Sequence, residues 1–140
     1  MRITGLPFNA HIGLRKSECE GVLLELPASE RNGNHLGTVH ASAQMALAEA
    51  ASGQLLLDLL QDTTQVVPVV RHFEGKFRKP AHGTLLASAR LTQSDAAEIQ
   101  AQLASKGRAM VEVAVEVRAE DGTNTFNATV EWYLQLLSNS

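Results

Sequence analysis

Residues 40–60 run without a proline and consist mainly of Ala, Leu, Met, Gln and Glu, all good helix formers. Val39, Ala43, Ala46, Leu47 and Ala50 recur at roughly helical spacing, which predicts one long helix with an apolar face. Thr38 or Ser42 is expected to cap its start. The many alanines let other backbone approach closely, and Gly53 implies a bend or a crowded neighbour. A lone apolar helix must bury itself against another layer, and most of the remaining chain reads as strands.

Residues 17–26, SECEGVLLEL, read as a strand ending at Pro27, followed by a loop over residues 28–38. Residues 64–78 read as a long strand in which Pro68 and Gly75 imply an edge or a bulge. Residues 84–92 form another strand, and residues 94–104 a short surface helix with Ser94 or Asp95 near its cap. Val111, Val113, Val115 and Val117 alternate with charged residues along one strand. Asp121-Gly122 signals a hairpin, and Phe126, Ala128, Val130, Trp132 and Leu134 share one face of the return strand. The order is therefore strand, long helix, then four strands, the last three antiparallel neighbours. That is an α+β domain over residues 1–140, with one sheet wrapped on one helix.

Composition narrows the function classes. With 140 residues and 44% hydrophobic content, the chain suits a single packed domain. A net charge of −3 argues against general nucleic-acid binding. The one cysteine, Cys19, rules out an intrachain disulfide and a Cys-rich zinc site. The five histidines show no helical i, i+4 pairing, so no metal is expected. The N-terminus lacks the apolar core of a signal peptide, and no stretch approaches the roughly 20 apolar residues of a membrane span. A cytoplasmic protein is the expectation.

Glu49 is the conspicuous residue, a carboxylate inside the small-apolar run of the long helix. Buried carboxylates are uncommon without a reason. Partial burial raises a glutamate's pKa and makes it a stronger base near neutral pH. The structural alternative is a carboxylate paired with a cation, and Arg71 is the candidate partner. It interrupts the otherwise apolar face of Val67, Val69, Phe73 and Phe77. For Asn34 the alternative is a loop residue that bonds its own backbone. For Arg71, Lys76, Arg78 and Lys79 it is a solvated strand, and the leucine-rich QLLLDLL reads as core.

Asn34, Gly37, His40, Ala41 and Glu49 form a pattern. It resembles the hotdog-fold thioesterases of the PaaI-like and 4-hydroxybenzoyl-CoA thioesterase-like groups. Those proteins carry an Asn or Gln, a Gly, a His, small residues, and then an Asp or Glu inside the central helix. Glu49 lies nine residues after His40 and fifteen after Asn34, as in the family. FRKPAHG, residues 77–83, is similar to the family's Pro-Ala-x-Gly turn. The resemblance spans about residues 17–136, and the N-terminal LPFNAHIGL also fits uncharacterised members.

The resemblance implies a hotdog fold and hydrolysis of an acyl-CoA or acyl-carrier thioester. Glu49 would be general base or nucleophile, and the Ala41 N–H at the helix start the oxyanion donor. His40 would hold the loop or add a polar contact. Asn34 would face the carboxylate from a partner subunit, so a homodimer is implied, with a dimer of dimers as a further assembly. Gly37 belongs to the substrate loop, and Arg78 and Lys79 would meet the CoA phosphates. No cofactor is implied beyond coenzyme A as part of the substrate. The chain departs from the family twice: His40-Ala41-Ser42 replaces His-Gly-Gly, and Val70 stands where many members place a Ser or Thr. Two other functions fit the same fold. One is a 3-hydroxyacyl thioester dehydratase or hydratase using His35 and Glu49, although the Pro-Gly of that branch is missing. The other is a protein that binds an acyl thioester without turnover.

Overall fold

A computed structural model of the chain describes residues 1–60, 62 and 64–137. In chain order these residues form α1 (Pro7–Ile12), β1 (Arg15–Lys16), β2 (Leu24–Leu26), α2 (Ala41–Leu59) and β3 (Val66–Phe77). There follow β4 (Leu85–Leu91), α3 (Ala96–Lys106), β5 (Arg108–Ala119) and β6 (Asn124–Leu136). The strands make one antiparallel sheet in the order β1-β2-β4-β5-β6-β3.

The valines of β5 and the alternate residues Phe126 to Leu134 of β6 all point to one face, and all are buried. Against that face lies α2, which touches β2, β3, β4, β5 and β6. Ala43, Ala48, Ala50 and Ala51 are buried along it, and so are Gln44, Ser52, Gly53 and Gln54. Burial on several sides of a helix means enclosure rather than a single stripe. Small side chains are what let the sheet close in so far. At Gly53 the approach is close: an added Cβ would lie 3.3 Å from Trp132 Cζ2. Gly53 thus has the crowded neighbour its position implied. The result is the hotdog fold, an antiparallel sheet wrapped around one long central helix.

Several local expectations need correction. Residues 17–26 are not one strand. Ser17 Oγ accepts from the Cys19 N–H (3.0 Å) and the Val22 N–H bonds Cys19 O (3.1 Å), forming a turn that separates β1 from β2. The cap of α2 is neither Thr38 nor Ser42 but His40, whose Nδ1 accepts from the Ser42 N–H at 2.9 Å. Asp95 caps α3, which starts at Ala96 and buries Ile99 and Leu103. The N-terminal helix α1 is a further element beyond those expected. Its signals are Pro7 in the first turn and Gly13 just past the end, the preferred proline-then-glycine order.

β3 is the edge strand that Pro68 implied, but its irregularity falls at Arg71, between Val70 and His72. The extra residue changes which side chains face inward. Val66, Pro68 and Val70 are half-buried before it and Phe73 after it, while Val67, Val69 and Phe77 are exposed. The continuous apolar face expected from Val67 to Phe77 is therefore split.

Candidate functional site

At the start of α2 the loop of residues 33–40 is tied down by short bonds. Asn34 Oδ1 accepts from the N–H groups of Leu36 (2.9 Å) and Thr38 (3.0 Å), and Asn34 Nδ2 donates to Thr38 Oγ1 (2.7 Å). Gly37 turns the loop at φ +76°, a backbone conformation that disfavours side chains. The Val39 N–H donates to Ala81 O (2.8 Å), which joins this loop to the turn carrying Arg78 and Lys79. Both basic residues are exposed, and their N–H groups reach Thr125 O at 2.8 and 3.4 Å. Asn34, Gly37, His40, Ala41, Arg78 and Lys79 thus share one end of the molecule. His40 spends its Nδ1 on Ser42, and the Ala41 N–H meets no acceptor among the described residues. That N–H lies at the positive end of a nineteen-residue helix.

Glu49 lies elsewhere. It is two helical turns beyond Ala41, about 12 Å along the axis. It lines an apolar cavity of about 160 Å³ between α2, the N-terminal segment and the inner faces of β3 and β6. Asn9 is the cavity's other polar lining residue among the described residues, and its Nδ2 donates to Ile3 O at 3.0 Å. Glu49 is half-buried, and burial raises its carboxyl above the ordinary value of 4.5. No ion pair involves it among the described residues. Arg71, the partner considered for it, instead holds its guanidinium 5.6 Å from the Tyr133 ring centroid. Tyr133 lies on the sheet's outer face, away from buried Trp132 and Leu134. Val70 is half-buried opposite Trp132 and brings no hydroxyl.

The cavity wall contains residues that the sequence pattern did not single out. Trp132 Nε1 donates to Ser52 Oγ (2.8 Å), and Ser52 Oγ donates to Glu49 O (2.7 Å). This chain ties the sheet to the Glu49 turn of α2. Ser52→Ala leaves a buried indole N–H unpaired, so we expect a loss of about 1–3 kcal/mol, read from urea unfolding. A larger hollow of about 760 Å³ lies around Glu74, Arg90, Ala114 and Thr129. It is open and sits across the sheet from Glu49, so it does not contribute to this site. Among the described residues no His/Cys/Asp/Glu group is arranged to hold a metal, and no helix is long and apolar enough to cross a membrane.

A family model for a domain of unknown function, DUF4442, matches residues 7–134. The chain belongs to the DUF4442 family. This DUF4442 protein is similar to a Pseudomonas aeruginosa protein of unknown function, a probable thioesterase. The two are 26% identical with a TM-score of 0.82, over 96% of this chain and 91% of that one. The fold is shared with a Haemophilus influenzae thioesterase at 17% identity and a TM-score of 0.75, over 98% and 89% of the two chains. It is shared also with a Bacillus halodurans protein solved with CoA, at 21% identity and a TM-score of 0.64, over 79% and 69%. No curated protein matches the chain. Fold and family together make the DUF4442 chain a member of the hotdog thioesterase superfamily.

Proposed function

We propose that this protein hydrolyses acyl thioesters, from CoA or a carrier, at a site shared between two copies of the chain. The observation that carries the reading is Glu49: a half-buried carboxylate that lines an apolar cavity and has no ion-pair partner among the described residues. Burial without a cation disfavours its charged form and strengthens it as a base. The likeness to proteins described as thioesterases points the same way. In a Staphylococcus aureus thioesterase of the same fold, alanine has replaced a glutamine and, separately, a glutamate. Those two residues have the spacing that separates Asn34 and Glu49 here.

Distance supports the two-copy arrangement. Within one protomer the Ala41 N–H and the Glu49 carboxylate are too far apart to meet one thioester. β3 is a twelve-residue edge strand whose outer side pairs with no strand among the described residues, a template for pairing with another strand. An antiparallel pair of β3 strands about their centres sets the Phe77 end of one copy beside the Val66 end of the other. The first end carries Ala41, Asn34, Arg78 and Lys79; the second borders the Glu49 cavity. In this arrangement the thioester carbonyl accepts from the Ala41 N–H as it becomes an oxyanion. Glu49 of the other copy takes a proton from water as the water oxygen attacks the carbonyl carbon; the C–S bond then breaks and the thiolate leaves with that proton. Alternatively Glu49 attacks the carbon itself, expels the thiolate and forms an anhydride that water opens. The Asn34 amide keeps one N–H for water or substrate. Arg78 and Lys79 meet the phosphates of the donor.

The test is thiol release from a panel of acyl-CoAs of graded length, followed with a thiol reagent. Release that depends on Glu49 supports the reading. No release from any CoA or carrier thioester removes it, and saturable binding alone would leave a thioester-binding protein.

A further inference from the structure

The cavity beside Glu49 has a definite size and a definite wall, and both bear on the acyl group. Its volume is about 160 Å³. A protein cavity of about 150 Å³ lined by aliphatic and aromatic side chains holds one benzene ring, so this one has room for about six carbon atoms. Among the described residues Glu49 and Asn9 are its polar lining residues; the others are apolar, with Ile3, Leu6, Leu56 and Trp132 among them. The wall away from the helix and sheet is the N-terminal segment. Ile3 is buried, and the Asn9–Ile3 bond holds its turn in place. Trp132 cannot swing away freely, because its Nε1 is bonded to Ser52 and its ring packs on Gly53.

We propose that this cavity is the acyl pocket, and that Ile3, Leu6 and Trp132 limit it to straight acyl groups of up to about six carbons. The proposal rests on the thioesterase reading for the position of the carbonyl at Glu49, and it adds the substrate's acyl class. Short chains fill the cavity with their methylene groups, each tightening binding about fourfold. Longer chains must displace the N-terminal segment.

Trp132 is the only tryptophan, and its ring lines the cavity, so its fluorescence reports occupancy directly. We would titrate the Glu49→Gln protein with N-acetylcysteamine thioesters of acetic, butyric, hexanoic and decanoic acids. Affinity is expected to rise at least tenfold from acetyl to hexanoyl and to fall at decanoyl. Leu6→Ala, at a partly exposed position, is expected to raise the ratio of decanoyl to butyryl affinity by about tenfold. Ile3→Ala serves as the second enlarging variant. Decanoyl binding equal to or tighter than hexanoyl binding in the Glu49→Gln protein would overturn the proposal, as would an unchanged fluorescence with every thioester. Wild-type protein separates the two claims. Hexanoyl binding without thiol release keeps the pocket and removes hydrolysis. Thiol release fastest from the decanoyl thioester keeps hydrolysis and removes the size limit.

Discussion

Glutamine in place of Glu49 is expected to lower kcat for the proposed thioester hydrolysis by about 10²–10⁴-fold, the contribution of a positioned general base, and to leave the fold intact. The second half of that expectation is the more diagnostic. No ion pair at Glu49 is present among the described residues, so the substitution orphans no buried cation. Burial holds the carboxyl above 4.5, so the folded state disfavours its charge. A group with a raised folded pKa lends its stability while protonated, below the unfolded value, and loses it as pH rises through the folded pKa. Wild-type protein at neutral pH is on the unfavourable side of that window. Glu49→Gln is therefore expected to raise the unfolding midpoint at neutral pH. The gain disappears below the ordinary glutamate range. The rate is expected to show the complementary dependence, because a base must be ionised: the acid limb of kcat/KM should rise with a midpoint above the ordinary glutamate value. A variant that loses stability at neutral pH would identify Glu49 as a structural residue.

Ala41→Pro is expected to cost about 10²–10³-fold in kcat, the effect of removing one oxyanion donor. The substitution deletes one N–H and little else. Ala41 is the first residue of α2, where proline is tolerated because its missing N–H has no helical partner. His40 before it already has φ −60° and ψ 139°, the extended region a pre-proline residue prefers. Circular dichroism and the unfolding midpoint should change little. Ala41→Gly is the control, since it keeps the N–H and removes the methyl that substrate must clear. Activity in Ala41→Pro close to wild type would place the oxyanion elsewhere.

The fold was legible where one physical rule acted alone. The valines of β5 and the aromatic and aliphatic residues of β6 alternate because one face of the sheet is buried, and nothing interrupts that period. The long helix announced itself through composition, and Gly53 through the cost of glycine in a helix. Elsewhere competing terms intervened. An extra residue at Arg71 reverses the inward face of β3, and a register shift of one residue leaves no mark on composition. The turn at Cys19 breaks a strand whose apolar half looked continuous. The candidate site was legible as spacing but not as surroundings. Glu49 stood out because a charge is rare inside such a helix. Its neighbours Ile3, Asn9 and Trp132 come from distant parts of the chain and converge only in three dimensions. Asn34 bonds its own loop, the structural alternative for it, and its second Nδ2–H has no acceptor among the described residues.

The central claim is that one site draws Ala41 from one copy and Glu49 from the other. Mixing Ala41→Pro and Glu49→Gln subunits, each inactive alone, tests it directly. After unfolding and joint refolding at equal amounts, half of the dimers are mixed, and each mixed dimer contains one site with both groups intact. A shared site predicts recovery of about a quarter of wild-type activity. Activity that stays at the level of the two parents, with mixed dimers demonstrated by mass spectrometry, would contradict it.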